Sequence, residues 1–226
     1  MVTDECRCLG LRAGAVVFRD PCIGARDAAL HEAIVGEAQA AASRYASSEA
    51  IRALPEVVAF RELLRQVGVN PRREQPSVER LLNYALKRGD LPAINSLVDA
   101  YNLVSIRSLC SLGAHDLDKF DMPVSLRLLT GNESFTPLGS DKQVSINPGE
   151  YAYVDARNRV LCRLDVLQAE FSKVTAATTN AVLIIEGTIA HRADVLEEAF
   201  ATAVELITRH CDGTAEVVAF PGGQTP

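Results

Sequence analysis

Tryptophan is absent from this 226-residue chain, and aromatic residues make up only 5% of it. Any core must therefore be filled mainly by Ala, Val, Leu and Ile. No apolar run is long enough to span a bilayer and no secretory leader is recognisable, so no membrane partner is expected. A basic surplus is missing too: Lys and Arg number 23 against 29 Asp and Glu, a formal net charge of -6. That balance argues against a large basic surface gripping nucleic acid. DNA is not an expected partner, but room is left for an RNA held by a local patch. The phosphate-binding P-loop, the dinucleotide glycine fingerprint, HExxH and GxSxG are all absent. Several large enzyme classes thus lose their usual sequence carriers.

Ordered cysteine spacing is also lacking. Cys6, Cys8, Cys22, Cys110, Cys162 and Cys211 are scattered, which suits free thiols in a reduced, cytoplasmic protein. Cys110, Cys162 and Cys211 read as small buried apolar residues. Cys6, Cys8 and Cys22 with His31 are the one group that could hold a metal, and their spacing matches no standard zinc pattern. Neither a metal nor a cofactor is expected.

What is present suits a globular domain, with 48% hydrophobic and 23% charged residues. Residues 1–220 read as a single domain whose first part, about 1–66, is an N-terminal strand and helical elaboration; 221–226 read as a mobile tail. A strand is expected over residues 9–18, closed by Asp20-Pro21. Helices are expected over 26–45, from Ser47-Ser48, from Pro55 to Gln66 with Gly68 as stop, and from a Pro76-Ser77 cap to Lys87 with Gly89 as stop. Pro92 is placed in the first turn of the next helix. Strands follow over 124–129, 144–146, 151–154, 159–164 and 182–185, with a turn at Asn147-Pro148-Gly149. A last helix spans 193–210 and stops at Asp212-Gly213. Strand, helical block, strand block and closing helix make an α+β protein rather than a regular βαβ alternation.

The segment 91–120 carries the oddest pattern. Asn95, Asp99, Asn102 and Ser105 recur at three- and four-residue steps and so share one stripe of an otherwise buriable helix. Buried amides and carboxylates need partners or a pocket to line. His115 beside Asp116 is either a general base or a turn residue at the helix exit.

These residues also carry a family resemblance. Leu97-Val98-Asp99-Ala100-Tyr101-Asn102-Leu103-Val104, followed by Ala114-His115-Asp116-Leu117-Asp118-Lys119, resembles the paired motifs of the B3/4 domain. That domain is the editing domain of the phenylalanyl-tRNA synthetase beta subunit, and it also occurs free-standing. Gly68-Val69 with Pro71, Pro76-Ser77-Val78-Glu79, Ser125-Leu126-Arg127, Pro148-Gly149-Glu150, and Thr178-Thr179-Asn180 leading to Ile184-Ile185-Glu186-Gly187 extend the resemblance over residues 60–190.

The resemblance implies a fold of mixed β-sheets in a sandwich-like core flanked by helices. It implies hydrolysis of the ester of a mischarged tRNA, performed in trans by a free-standing protein. Such chemistry needs a placed water, a stabilised oxyanion and a shaped pocket, without a catalytic triad. The family's pocket asparagine matches Asn102, and its late-strand glutamate lies near Glu186; these two are the catalytic candidates. Counted from Thr179, Glu186 is one place too far, and it faces the pocket only if a bulge intervenes. The family threonine falls on Tyr101 and its histidine on Gly113. Asp99, Tyr101, Gly113, His115, Ser125, Arg127, Asp165, Gln168 and Thr179 are candidate pocket residues. The family's glycine-rich turn is replaced by Asp165-Val166-Leu167-Gln168, and a carboxylate there favours a cationic aminoacyl group, as in relatives that clear arginine-like analogues such as canavanine. Asp165 facing solvent, or paired with Arg163 or Arg127, is the competing reading. Arg72, Arg73 and Arg80 are candidate tRNA phosphate contacts, with an exposed loop as the alternative for Arg72 and Arg73. Two other functions stay open: a noncatalytic tRNA-binding module, and a binder or hydrolase of a small amino-acid ester.

Overall fold

A computed structural model describes residues 1–219. The chain runs through α1 (Asp4–Cys8), β1 (Arg12–Arg19), α2 (Ala28–Arg44), α3 (Ser48–Arg52), α4 (Pro55–Gln66), α5 (Ser77–Arg88) and α6 (Ser96–Ser108). It continues through β2 (Ser111–Asp116), β3 (Ser125–Leu128), β4 (Tyr151–Val154), β5 (Val160–Arg163), β6 (Leu167–Gln168), β7 (Asn180–Gly187), α7 (Ala193–Cys211) and β8 (Thr214–Ala219). The strands form two four-stranded sheets, in the orders β2-β7-β1-β8 and β3-β4-β5-β6. All their ladders are antiparallel. The α+β class expected from the element order is borne out.

Local chemistry explains the helix starts. Asp27 accepts the Leu30 N–H and Ser47 the Ala50 N–H, while Pro55 opens α4 where a missing N–H costs little. Along β7, Ala181, Leu183 and Ile185 are fully buried towards the helices. The alternate residues Val182, Ile184 and Glu186 face the second sheet. Gly14 of β1 lets α7 approach closely, because a Cβ there would lie 2.3 Å from the Phe200 ring. A second, smaller core of Leu129, Phe135, Ile146, Ala152, Val154, Val160 and Ala169 fills the outer face of the second sheet.

Four local expectations are corrected. Pro92 precedes α6 rather than opening it; Asn95 is the N-cap and accepts the Val98 N–H at 2.9 Å. Pro76, not Ser77, occupies the cap of α5, and the Ser77 hydroxyl instead meets that of Ser111 at 2.7 Å. Residues 144–146 form no strand; they cross the small core, where Ile146 is buried and the Val144 N–H bonds the Phe135 carbonyl. Strands β2 and β8 were not anticipated. The first strand is Arg12–Arg19, shorter than expected because α1 precedes it. The mobile-tail expectation for 221–226 lies outside the described residues. No helix among the described residues is long and apolar enough to cross a membrane.

Candidate functional site

The two sheets face each other across a cleft of about 550 Å3 whose walls include Ala13, Ala15 and Val17 of β1, Val182 and Ile184 of β7, and Tyr153 of β4. Behind Tyr153 lies a buried polar cluster. The Tyr153 hydroxyl donates to Glu186 Oε2 at 2.6 Å. Asp165, in the turn between β5 and β6, stands close enough to Glu186 for the two charges to oppose each other. Tyr151 and Cys162 feel both carboxylates. Asp165 is 7% exposed and Glu186 3%. Both Asp165 oxygens, Glu186 Oε1 and the Tyr151 hydroxyl are buried without a hydrogen-bond partner. An unpaired buried polar atom costs about 1–3 kcal/mol, so four in one cluster single it out as a candidate site.

The electrostatics follow. Burial pushes the Asp165 carboxyl up; the nearby Ser77 backbone N–H, which makes no full hydrogen bond to it, and then the Arg80 guanidinium only partly offset this. Burial, then the Asp165 charge, raises Glu186. Burial raises the Cys162 thiol and the Tyr101, Tyr151 and Tyr153 hydroxyls as well. A carboxyl whose pKa has moved towards neutrality can exchange a proton near working pH, and can ionise fully when a cation arrives.

Glu186 needs no bulge to reach this position. Its ladders to β1 and β2 run without a register shift from Asn180 to Gly187. Thr179 is a poor reference for strand parity, because it lies outside β7 and bonds Asp118. Ser111 and Gly113 of β2 stand opposite Glu186 and Ile184, hence on the same face. Gly113 is half-buried, and nothing lies within 4 Å of where its Cβ would be. The family histidine's place is open space here.

The remaining candidates divide. Tyr101 points from α6 at the Ala114 backbone and joins the cluster. Gln168 donates to the Ala114 carbonyl at 2.8 Å and reaches His115, tying the second sheet to the first. His115 is buried against the Ser172 hydroxyl at 2.9 Å, and burial lowers its pKa to about 4, which keeps it neutral. Asn102 is 7% exposed, and no described residue hydrogen-bonds its side chain. It is not bonded to the Glu186 cluster.

Four candidates stand elsewhere. Asp99 is committed to Arg26 at 2.9 Å and to the Ile94 N–H, so it holds the α6 entry to the segment before α2. Ser125 and Arg127 lie on the outer face of the second sheet, opposite Val154 and Ala152, and Arg127 binds Glu133 and Asn158. Thr179 sits at the opposite end of β7 from Glu186. The pairing of Asp165 with Arg163 or Arg127 does not occur, since Arg163 holds Glu150 and Glu74. Sequence reasoning missed Tyr151, Tyr153 and Cys162; their period-two spacing on paired strands was the available signal.

The basic candidates also separate. Arg80 donates to the Val166 carbonyl at 2.7 Å, bracing the Asp165 turn. Arg72 and Arg73 are exposed. Arg72 borders a surface hollow with Arg52, Arg61 and Arg65. No group of three or more His, Cys, Asp and Glu suited to a metal occurs among the described residues.

A model of the B3/4 domain matches residues 59–212. The chain belongs to the B3/4 domain family. Two relatives extend the likeness. One is a probable phenylalanine–tRNA ligase beta subunit of Vairimorpha ceranae, 29% identical over 107 residues, covering 38% of this chain and 21% of the relative. The other is the phenylalanine–tRNA ligase beta subunit of Mycoplasma genitalium, 30% identical over 87 residues, covering 38% of this chain and 10% of the relative. The B3/4 chain thus spans about a fifth or less of the curated relatives it matches. An N-terminal fragment of the phenylalanyl-tRNA synthetase beta subunit from Pyrococcus horikoshii aligns with a TM-score of 0.47 at 12% identity, covering 95% of this chain and 49% of that one.

Proposed function

We propose that this B3/4 protein hydrolyses the ester of a mischarged aminoacyl-tRNA in trans, and that its pocket takes a cationic aminoacyl group. The observation that carries this reading is the pair Asp165 and Glu186, buried, unpaired with any arginine and bearing partner-free oxygens. An ammonium or guanidinium entering the cluster would ionise Asp165 and gain a charge-assisted partner, leaving Glu186 for the chemistry. Open space at Gly113 provides room beside them. Glu186 then serves as the base. It takes a proton from water as the water oxygen attacks the ester carbonyl; the carbon–oxygen bond to the ribose breaks, and the ribose oxygen leaves with a proton. Asn102, with no described partner for its amide, is the candidate to hold the carbonyl oxygen. Exposed Arg72 and Arg73 are available to tRNA phosphates.

The test is a panel of mischarged tRNAs, with loss of each amino acid followed by mass spectrometry. Cationic aminoacyl groups should be released first, and Glu186→Gln should slow release by about 10²–10⁴-fold while the fold is kept. Preference for an aromatic aminoacyl group would sink the cationic pocket. One observation favours a second reading, a noncatalytic tRNA-binding module: Tyr101, Tyr151 and Tyr153 close around the carboxylates, and each is under a tenth exposed. Retention of tRNA without turnover of any ester would select it. Turnover of free aminoacyl esters but of no charged tRNA would point to a small-ester hydrolase instead.

A further inference from the structure

The surface hollow at α4 is electrostatically unlike the protein around it. Val58, Arg61 and Arg65 follow one another at steps of three and four residues, so they share one face of α4. Arg52 at the end of α3 and Arg72 in the loop before α5 close the same hollow, which encloses about 240 Å3. Every lining residue but Val58 is thus an arginine, in a chain of net charge -6. Their carboxylate partners are few. Arg65 holds Glu62 in an exposed pair, which is weak in water. Arg52 stands 3.6 Å from Glu79, too far for a hydrogen bond. The Arg72 side chain has no partner among the described residues; only its backbone N–H is engaged, by Asn70.

Arg61 is the decisive member. It is only 6% exposed, and one nitrogen makes all its contacts: Nη1 donates to Glu79 at 2.8 Å and to the Pro71 carbonyl at 3.1 Å. Nε and Nη2 have no hydrogen-bond partner among the described residues, and neither is sealed from solvent. Buried Glu79 clamps this arginine from behind. A ligand in the hollow therefore meets donors that folding has already fixed, and little further freedom is lost on binding. Charge then selects the ligand. Four guanidinium groups meet two carboxylates, Glu79 beneath and Glu62 beside, which leaves two positive charges over. A carboxylate or a phosphodiester carries a single negative charge. A phosphomonoester carries about -1.5 to -2 at pH 7 and presents three acceptor oxygens to arginine forks. We propose that this hollow binds a terminal phosphomonoester, borne by the 5′ end of an RNA or by a small phosphorylated molecule. Val58, 46% exposed at the rim, offers the carrier an apolar contact. The Asp165 and Glu186 cluster takes no part, so the site stands or falls apart from ester hydrolysis.

The experiment is calorimetric titration of the full chain with glycerol 3-phosphate, a monoester, and with dimethyl phosphate, a diester. The monoester should bind, and the diester should bind at least about tenfold more weakly. Monoester affinity should fall as pH drops from about 8 to about 5, because the phosphate takes up its second proton near pH 6 while the arginines stay charged. Replacing Arg65 and Arg72 together by Gln should weaken monoester binding by about tenfold or more. Both side chains are exposed, so the fold should be kept, whereas changing Arg61 would strand Glu79. Arg88→Gln removes the same charge from the exposed end of α5 and should leave binding unchanged. An RNA duplex with and without a 5′ phosphate separates the two sources. Tighter binding of the phosphorylated duplex, with glycerol 3-phosphate competing, assigns the RNA end. Glycerol 3-phosphate bound with no preference between the duplexes assigns a small phosphorylated molecule. Equal affinity for monoester and diester overturns the proposal, as does monoester binding that ignores the double variant or no monoester binding at all. The two wild-type comparisons, ester type and pH, decide the matter without any variant.

Discussion

Two sets of buried carboxylates coexist in this fold, and they are treated in opposite ways. Glu79, Asp99, Glu133, Glu150 and Asp155 are each at most 5% exposed, and each is held by an arginine: Arg61, Arg26, Arg127, Arg163 and Arg159. Asp165 and Glu186 are buried to nearly the same degree and have no such partner. The consequence shows in their ionisation. Burial opposes the charge on Glu133, but the Thr130 N–H and Arg127 prevail and bring its pKa down to about 2. With little to oppose burial, Asp165 and Glu186 move the other way. Burial without an arginine is not enough to single them out, since Asp116 is equally buried and accepts the Thr178 hydroxyl and the Asp118 N–H instead; oxygens left with neither counter-charge nor donor are what set Asp165 and Glu186 apart as candidates. The first set fastens segments together, and the second is left free to meet something from outside.

Breaking the first set should have the largest effect. Arg26→Ala leaves Asp99 buried with only the Ile94 N–H, and urea unfolding should show a loss of about 3–5 kcal/mol. Neutralising the second set should do the opposite. The double change Asp165→Asn and Glu186→Gln should stabilise the fold by about 1–3 kcal/mol at about pH 8 and by almost nothing at about pH 4. The sign follows from linkage. Folded-state pKa values above those of the unfolded chain mean that the folded chain holds more protons. Wild-type stability thus falls as pH rises above about 4, by at most about 1.4 kcal/mol per pH unit for each proton. A wild-type curve that climbs over this range, with no gain in the double variant, would erase the distinction between the two sets.

Ligand binding sharpens the contrast further. Arginine methyl ester entering the cluster should release up to about one proton near neutral pH, read by calorimetry in buffers of different ionisation enthalpy, and Asp165→Asn should remove that release. The smallest expected effect is at Gly113. Ala there meets open space, so stability should shift by only about 0.5 kcal/mol or less while the preference among esters changes.

Much of the helical scaffold was legible because its signals are local. Asp27 and Ser47 cap within three residues, Pro55 opens a helix, and Gly89 with φ of 63° ends one. Strand β2 was not legible: Ser-Leu-Gly-Ala-His-Asp carries little strand propensity, and its order comes from pairing with β7, which is distant in sequence. The polar stripe on α6 was real as a pattern but not as one surface. Asn95 is a cap, Asp99 an ion-pair partner, Ser105 an orphaned hydroxyl, and Asn102 alone an unengaged amide near the surface. Periodicity says which residues share a face, and it does not say what that face meets.

The sequence by itself determined the α+β class, most helix ends, the family, and Asn102, Asp165 and Glu186 as residues to watch. Each of these depends on neighbours along the chain or on motif order. Tertiary structure decided which carboxylates find an arginine and which do not. It turned Glu186 towards the second sheet and set Tyr153 between it and the cleft. Those outcomes come from pairing strands far apart in sequence. The energy of a buried charge depends on what surrounds it in space, not on its position in the chain.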